Sequence, residues 1–136
     1  MKKFIATVLA CICVLGMLGC SKQPPQGQKN ALLPEGKVVG IDVSSIPAGD
    51  SYSFNTEQAK EIMDYLSHLN LESTFEEDPN SYVGMTWVLA LEYENGEILT
   101  VYHFGNMFIR TQNGAWYKMA YEEAEQFDTL LDELND

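Results

Sequence analysis

His68 and His103 are the only imidazoles in the chain, and Arg110 is the only guanidinium. A hydrolytic centre needs a nucleophile, a base and a group that orients the base. No Gly-x-Ser-x-Gly elbow accompanies either histidine. His68 falls near the end of a helical stretch, off its apolar stripe, where the helix dipole favours a solvated imidazole. His103 falls in the middle of a strand and reads as a structural or surface residue. Neither histidine has a partner at the spacing of a zinc site. Glu76, Glu77, Asp78 and Asn80 gather oxygen ligands, yet lack the alternation and central glycine of a calcium loop. Glu92, Glu94 and Glu97 crowd a turn, whereas glycoside hydrolysis needs two carboxylates opposed across a cleft. No phosphate-cradling glycine loop or dinucleotide fingerprint occurs. The expectation is a non-enzymatic protein with no catalytic residue, no metal and no cofactor.

Charge narrows the partners. The chain holds 8 basic and 20 acidic residues, for a net charge of −12. Such a surface repels nucleic acid and anionic headgroups, so no nucleic-acid partner is expected. The acidic residues read mainly as a solvated surface.

The N-terminus says where the protein works. Met1-Lys2-Lys3 is a short positive segment, and Phe4 to Leu18 is uncharged and mostly apolar. Gly19 and Cys20 follow, then polar Ser21-Lys22-Gln23-Pro24. That is the layout of an export signal, too short for a spanning helix. Leu15-Gly16-Met17-Leu18-Gly19-Cys20 resembles a bacterial lipobox, with Met17 where the family prefers Leu. The resemblance implies cleavage before Cys20 and a diacylglyceryl thioether, bearing chains such as palmitate, on its sulfur. Residues 1–19 would then be signal peptide, and the protein would sit on the extracytoplasmic face of a cell membrane. Loss of Lys2 and Lys3 takes the net charge from −12 to −14. Cys11 and Cys13 would leave with the signal, so the mature domain would rely on its core without a disulfide.

Residues 20–36 read as the lipidated cysteine and a flexible linker, rich in Gln, Pro, Gly and Lys. Residues 37–136 read as one domain of ordinary size. Val39, Ile41 and Val43 alternate with Gly40, Asp42 and Ser44, which predicts a half-buried strand. Ser51 to Phe54 is a short return strand. Asn55 and Gln58 have capping-box spacing, and Ala59, Ile62, Met63, Leu66 and Leu69 form the stripe of an amphipathic helix. Asn70 is expected to end it in a left-handed conformation. Leu71 to Phe75 is a further candidate strand. Ala124, Phe127, Leu130, Leu131 and Leu134 predict a second helix over 121–135.

Between 83 and 120 the chain predicts a four-stranded meander with turns at Asn95-Gly96, Gly105-Asn106 and Asn113-Gly114. A two-residue loop at Asn95-Gly96 would oppose Tyr93 to Ile98, Leu89 to Tyr102 and Trp87 to Phe104. Met85, Trp87, Leu89, Leu91, Tyr93, Ile98, Tyr102 and Phe104 would then share the core face. Thr86, Val88, Ala90, Glu92, Leu99, Val101 and His103 would share the other. His103 would oppose Val88 and Phe108, and Arg110 would oppose and stack on Tyr117. This second face is less bulky but not polar, so its candidate binding residues are Val88, Val101, His103, Phe108, Arg110 and Tyr117.

Together these elements predict a two-layer α+β domain. An antiparallel meander sheet of four to six strands would carry two amphipathic helices, packed mainly on one face. The order of strand, helix, meander ending in Trp116-Tyr117, and helix resembles small uncharacterised lipoproteins of Gram-positive bacteria. That resemblance implies a compartment and a fold type, and no activity. The expected function is a membrane-anchored surface lipoprotein that binds an envelope protein, a peptide or a cell-wall component. The alternative is a small-ligand or metal sensing or accessory module of the envelope.

Overall fold

The computed structural model describes residues 30–136. The expected signal peptide (residues 1–19), Cys20 and the start of the expected linker lie outside the described residues. Strands β1 (Val38–Ile46) and β2 (Ser51–Phe54) precede helix α1 (Thr56–His68). The two-residue strand β3 (Leu71–Glu72) and a 3-10 turn at Pro79–Ser81 follow. Then come β4 (Thr86–Tyr93), β5 (Ile98–Phe104), β6 (Phe108–Thr111), β7 (Tyr117–Met119) and helix α2 (Tyr121–Asn135). All seven strands join one antiparallel sheet in the order β2-β1-β4-β5-β6-β7-β3. The class is α+β, with seven strands where four to six were expected. The meander β4–β7 is present, with β1 and β2 extending it at one end and the short β3 at the other. β3 is too brief to show a period. It is a strand because Leu71 and Glu72 pair with Met119 and Lys118 on the edge of β7.

Helix α1 begins where the capping box requires. Asn55 Oδ1 accepts from the Glu57 and Gln58 amides, and Gln58 Oε1 accepts from the Asn55 amide. Gln58 Nε2 also donates to the Leu134 carbonyl, joining the start of α1 to the end of α2. The end of α1 differs from expectation. Leu69 turns extended (φ −58°, ψ 136°) and buries its side chain, while the Asn70 amide and Nδ2 donate to the Glu123 carboxylate of α2. The tether meets the domain before Gly36. Asn30 Nδ2 donates to the Leu66 and Leu69 carbonyls, which satisfies acceptors left over at the helix end, and Leu32 enters the core.

Both helices lie on one face of the sheet. Ala59, Ile62 and Leu66 of α1 and Ala124, Phe127 and Leu131 of α2 pack with Ile41, Val43, Leu89, Leu91, Val101, Ile109 and Met119. The stripes read from the sequence are therefore the buried faces of the helices.

The β4–β5 hairpin corrects the expected register. The Gly96 amide donates to the Tyr93 carbonyl (2.8 Å) and the Tyr93 amide to the Glu97 carbonyl (2.9 Å). The loop thus holds three residues, Glu94-Asn95-Gly96, with Gly96 at φ 87°. Leu89 opposes Val101 rather than Tyr102, and Trp87 opposes His103 rather than Phe104. A slip of one residue moves every side chain of a strand to the other face. Leu99, Val101 and His103 therefore face the helices with Trp87, Leu89 and Leu91. Ile98, Tyr102 and Phe104 face outward with Thr86, Val88 and Ala90. Downstream, His103 opposes Ile109 rather than Phe108, Tyr102 opposes Arg110, and Tyr117 opposes Ile109 rather than Arg110.

Because Gly96 holds a left-handed conformation, Gly96→Ala is expected to lower the unfolding free energy by about 1 kcal/mol. Urea denaturation at neutral pH measures it.

Candidate functional site

The sheet has an inner face under the helices and an outer face, and the six candidate residues divide between them. Val101, His103 and Tyr117 turn inward, while Val88, Phe108 and Arg110 turn outward. Phe108 faces outward but is fully buried. The segment 73–85 crosses that end of the face and places Phe75 and Tyr82 against Phe108, with ring centroids 5.4 and 5.5 Å away. Lys118 Nζ of β7 pairs with Glu77 and holds this segment down. Asp78 Oδ1 accepts from the Asn80 amide at the 3-10 turn. Of the acidic run, Glu77 fastens the covering loop to β7 and Asp78 caps the turn within it. Lys118 holds Glu77 below the usual carboxylate range by the hydrogen bond between them.

Beside this cover, the outer face is open. Val88, Tyr102 and Arg110 form a row across β4, β5 and β6, and each is half-buried. The Arg110 guanidinium carbon lies 5.2 Å from the Tyr102 ring centroid and 4.7 Å from that of Trp116. Trp116 is itself seated against Phe104 and Phe108, at 6.4 and 6.3 Å. The clamp on Arg110 thus rests on a packed aromatic cluster. Contacts of this kind contribute about 0.5–1 kcal/mol when exposed and more when desolvated. All 20 acidic residues fall within 30–136, yet Arg110 forms no ion pair or side-chain hydrogen bond among the described residues. Its Nε is sealed from solvent without a partner. Exposed apolar side chains, Val83 and Met85 on the crossing segment and Ile46 and Ile98 on strands, lie around the domain's surface.

The inner face answers the question of His103. Its side chain is 1% exposed, stacks on Phe127 at 4.7 Å and shares a 2.9 Å hydrogen bond between Nε2 and the Tyr65 hydroxyl. Its Nδ1 has no partner among the described residues. Beside it, Trp87 Nε1 donates to Asp128 Oδ1 of α2 at 2.8 Å. Burial lowers the His103 pKa from 6.5 to about 4, against the opposing pull of the Asp128 charge. Burial, with Glu123 and Asp128 nearby, raises that of Tyr65. The pair is therefore neutral at pH 7. A groove of about 840 Å³ runs over Tyr65 between the helices, lined by Glu61, Asp64, Leu69, Glu123 and Leu130 among others.

The remaining chemical groups are dispersed. His68 is exposed, 3.3 Å from Asp64 Oδ1 one turn earlier. Glu94 pairs with Lys37 at 3.2 Å, and Glu97 accepts from Asn95. Among the described residues no three His, Cys, Asp or Glu side chains are grouped to hold a metal, and no helix is long and apolar enough to cross a membrane. The expected register placed Tyr102 on the core face, whereas it faces outward beside Arg110. Sequence reasoning missed Tyr65 and Asp128. Correct register would have placed Tyr102, since Tyr102 and Arg110 are cross-strand neighbours.

His103 has a lower pKa folded than unfolded, so the unfolded chain takes up a proton first as pH falls. Its contribution to stability is complete above about pH 6.5 and is lost as pH drops towards 4. His103→Gln keeps a polar partner for Tyr65 and removes this titration. Relative to that variant, the native protein is expected to lose about 3 kcal/mol between pH 7 and pH 4. Denaturant unfolding at both pH values measures it. No family model, no curated protein and no solved structure matches the chain, so the functional reading rests on this geometry.

Proposed function

We propose that the protein is a membrane-anchored lipoprotein of the cell envelope, tethered through acylated Cys20, whose domain is a non-enzymatic binding module. Its target is a protein, a peptide or a cell-wall component, met on the outer face of the sheet. The observation that carries this reading is the aromatic clamp on Arg110. A lone guanidinium in an acidic chain would normally find a carboxylate of its own. Here it is held between Tyr102 and Trp116, with no acceptor among the described residues, and half-buried Val88 lies beyond Tyr102 in the same row. Rigid aromatic groups and arginine are the side chains most often found at the energetic centre of an interface.

The non-enzymatic part is supported by His103. The one histidine placed among other functional groups is sealed in the core and bonded to Tyr65. A general base must reach the proton it removes. The anchor is supported by the lipobox-like stretch ending at Cys20, followed by a polar tether. Sixteen residues of tether, 21–36, would reach about 20 Å as a coil, and the docking of Asn30 and Leu32 shortens that reach.

Two outcomes are expected. Cells given labelled palmitate should label the native protein and not Cys20→Ala. Immobilised protein should retain an envelope component that Arg110→Ala and Trp116→Ala each retain at least about tenfold less, while Glu125→Ala, on the exposed side of α2, retains it fully. Equal retention by all four, read by mass spectrometry, contradicts a site on the sheet face.

A further inference from the structure

We infer that the outer-face clamp recognises a single carboxylate, that at the C-terminus of a peptide, with Arg110 as its anchor. This deepens the binding-module reading and rests on it. The geometry of the cation argues first. A guanidinium is planar and offers paired N–H donors that match the two oxygens of a carboxylate. Tyr102 and Trp116 hold the Arg110 group at 5.2 and 4.7 Å from their ring centroids. Of its three nitrogens only Nε is sealed from solvent. The other two reach solvent with no protein acceptor among the described residues. The cation is oriented before any ligand arrives, so little side-chain freedom is lost on binding.

Charge argues second, for one carboxylate over a more highly charged group. Lys118, the neighbouring cation on this face, is already paired with Glu77. Arg110 therefore acts alone. The chain's net charge of −12 repels a polyanion more strongly than a monoanion. A phosphate dianion or an acidic polymer would meet one cation in a field of opposite preference.

The surroundings argue third, for a peptide end over a free small acid. The clamp lies on an open sheet face, flanked by Val88 in the same row and by the ring of Trp116. Apolar surface beside a single cation suits a chain that carries one terminal charge and otherwise apolar or neutral groups. The rings would pack on the last side chains, and the guanidinium would take the two terminal oxygens.

The single arginine makes the test direct, because its Nε–H gives the only arginine side-chain signal in a nitrogen-15 correlation spectrum. Burial of Nε protects that proton from exchange. Full-length protein in uncharged detergent micelles is titrated with N-acetyl-trialanine, with its C-terminal amide and with inorganic phosphate. The free acid is expected to move the signal saturably, while the amide and phosphate move it less than about a tenth as far. In Arg110→Lys, backbone amides of β5 and β6 follow the same titration, and the affinity is expected to fall at least about tenfold. No movement with the free acid overturns the inference, as does equal movement with the amide or with phosphate. If those results accompany an envelope component that Arg110→Ala fails to retain, the binding module stands and only its carboxylate ligand falls. If Arg110→Ala retains everything, the binding module falls as well.

Discussion

The turn at Glu94-Asn95-Gly96 governs the chemistry of both faces of this sheet. Side chains alternate along a strand, so the number of residues in the loop decides which half of β5 meets the helices. With three residues in the loop, Val101 and His103 go in and Tyr102 and Phe104 go out. The consequence passes from strand to strand. Tyr102 outward sets Arg110 outward beside it, and Phe104 outward builds the aromatic cluster that supports Trp116. A loop one residue shorter would bury the aromatic side chains under the helices and present the histidine to solvent. The left-handed glycine is the local device that makes the longer loop close without strain.

The two faces then solve opposite electrostatic problems. Inside, a polar pair must be kept without charge. Tyr65 and His103 share one hydrogen bond, and burial holds both neutral at pH 7. Outside, a half-buried guanidinium lies between two rings that hold it where a carboxylate of the same chain would ordinarily sit. The covering segment 73–85 divides the outer face. It seals Phe108 and leaves the row of Val88, Tyr102 and Arg110 open. Covered and open surface are thus neighbours on the same strands. On the open side, Trp116 rests on the packed rings of Phe104 and Phe108.

Much of this was legible in the residues. The capping box at Asn55 and Gln58 and the stripes from Ala59 to Leu69 and Ala124 to Leu134 fixed both helices, because helical period and N-capping are local properties. The four strands of the meander were legible for the same reason. Register was not. Asn95-Gly96 fits a two-residue loop and equally the end of a three-residue one, since both need a positive φ at the glycine. The strand itself could not break the tie. Leu99 and Val101 on one side of β5 are matched by Ile98, Tyr102 and Phe104 on the other, so neither face is polar enough to exclude burial. The remaining surprises were long-range. Phe75 and Tyr82 cover Phe108, Asn30 caps α1 and Lys118 fastens Glu77, and none of these contacts leaves a periodic trace.

The most direct test of the account is a nuclear Overhauser measurement of side-chain contacts across β4, β5, β6 and the residues before β7. The three-residue loop predicts contact between Trp87 and His103, and the pairing of β5, β6 and the residues before β7 predicts contact of Arg110 with Tyr102 and with Trp116. Contact between Trp87 and Phe104 instead would mean the shorter loop, and with it a solvent-facing histidine and a clamp turned under the helices.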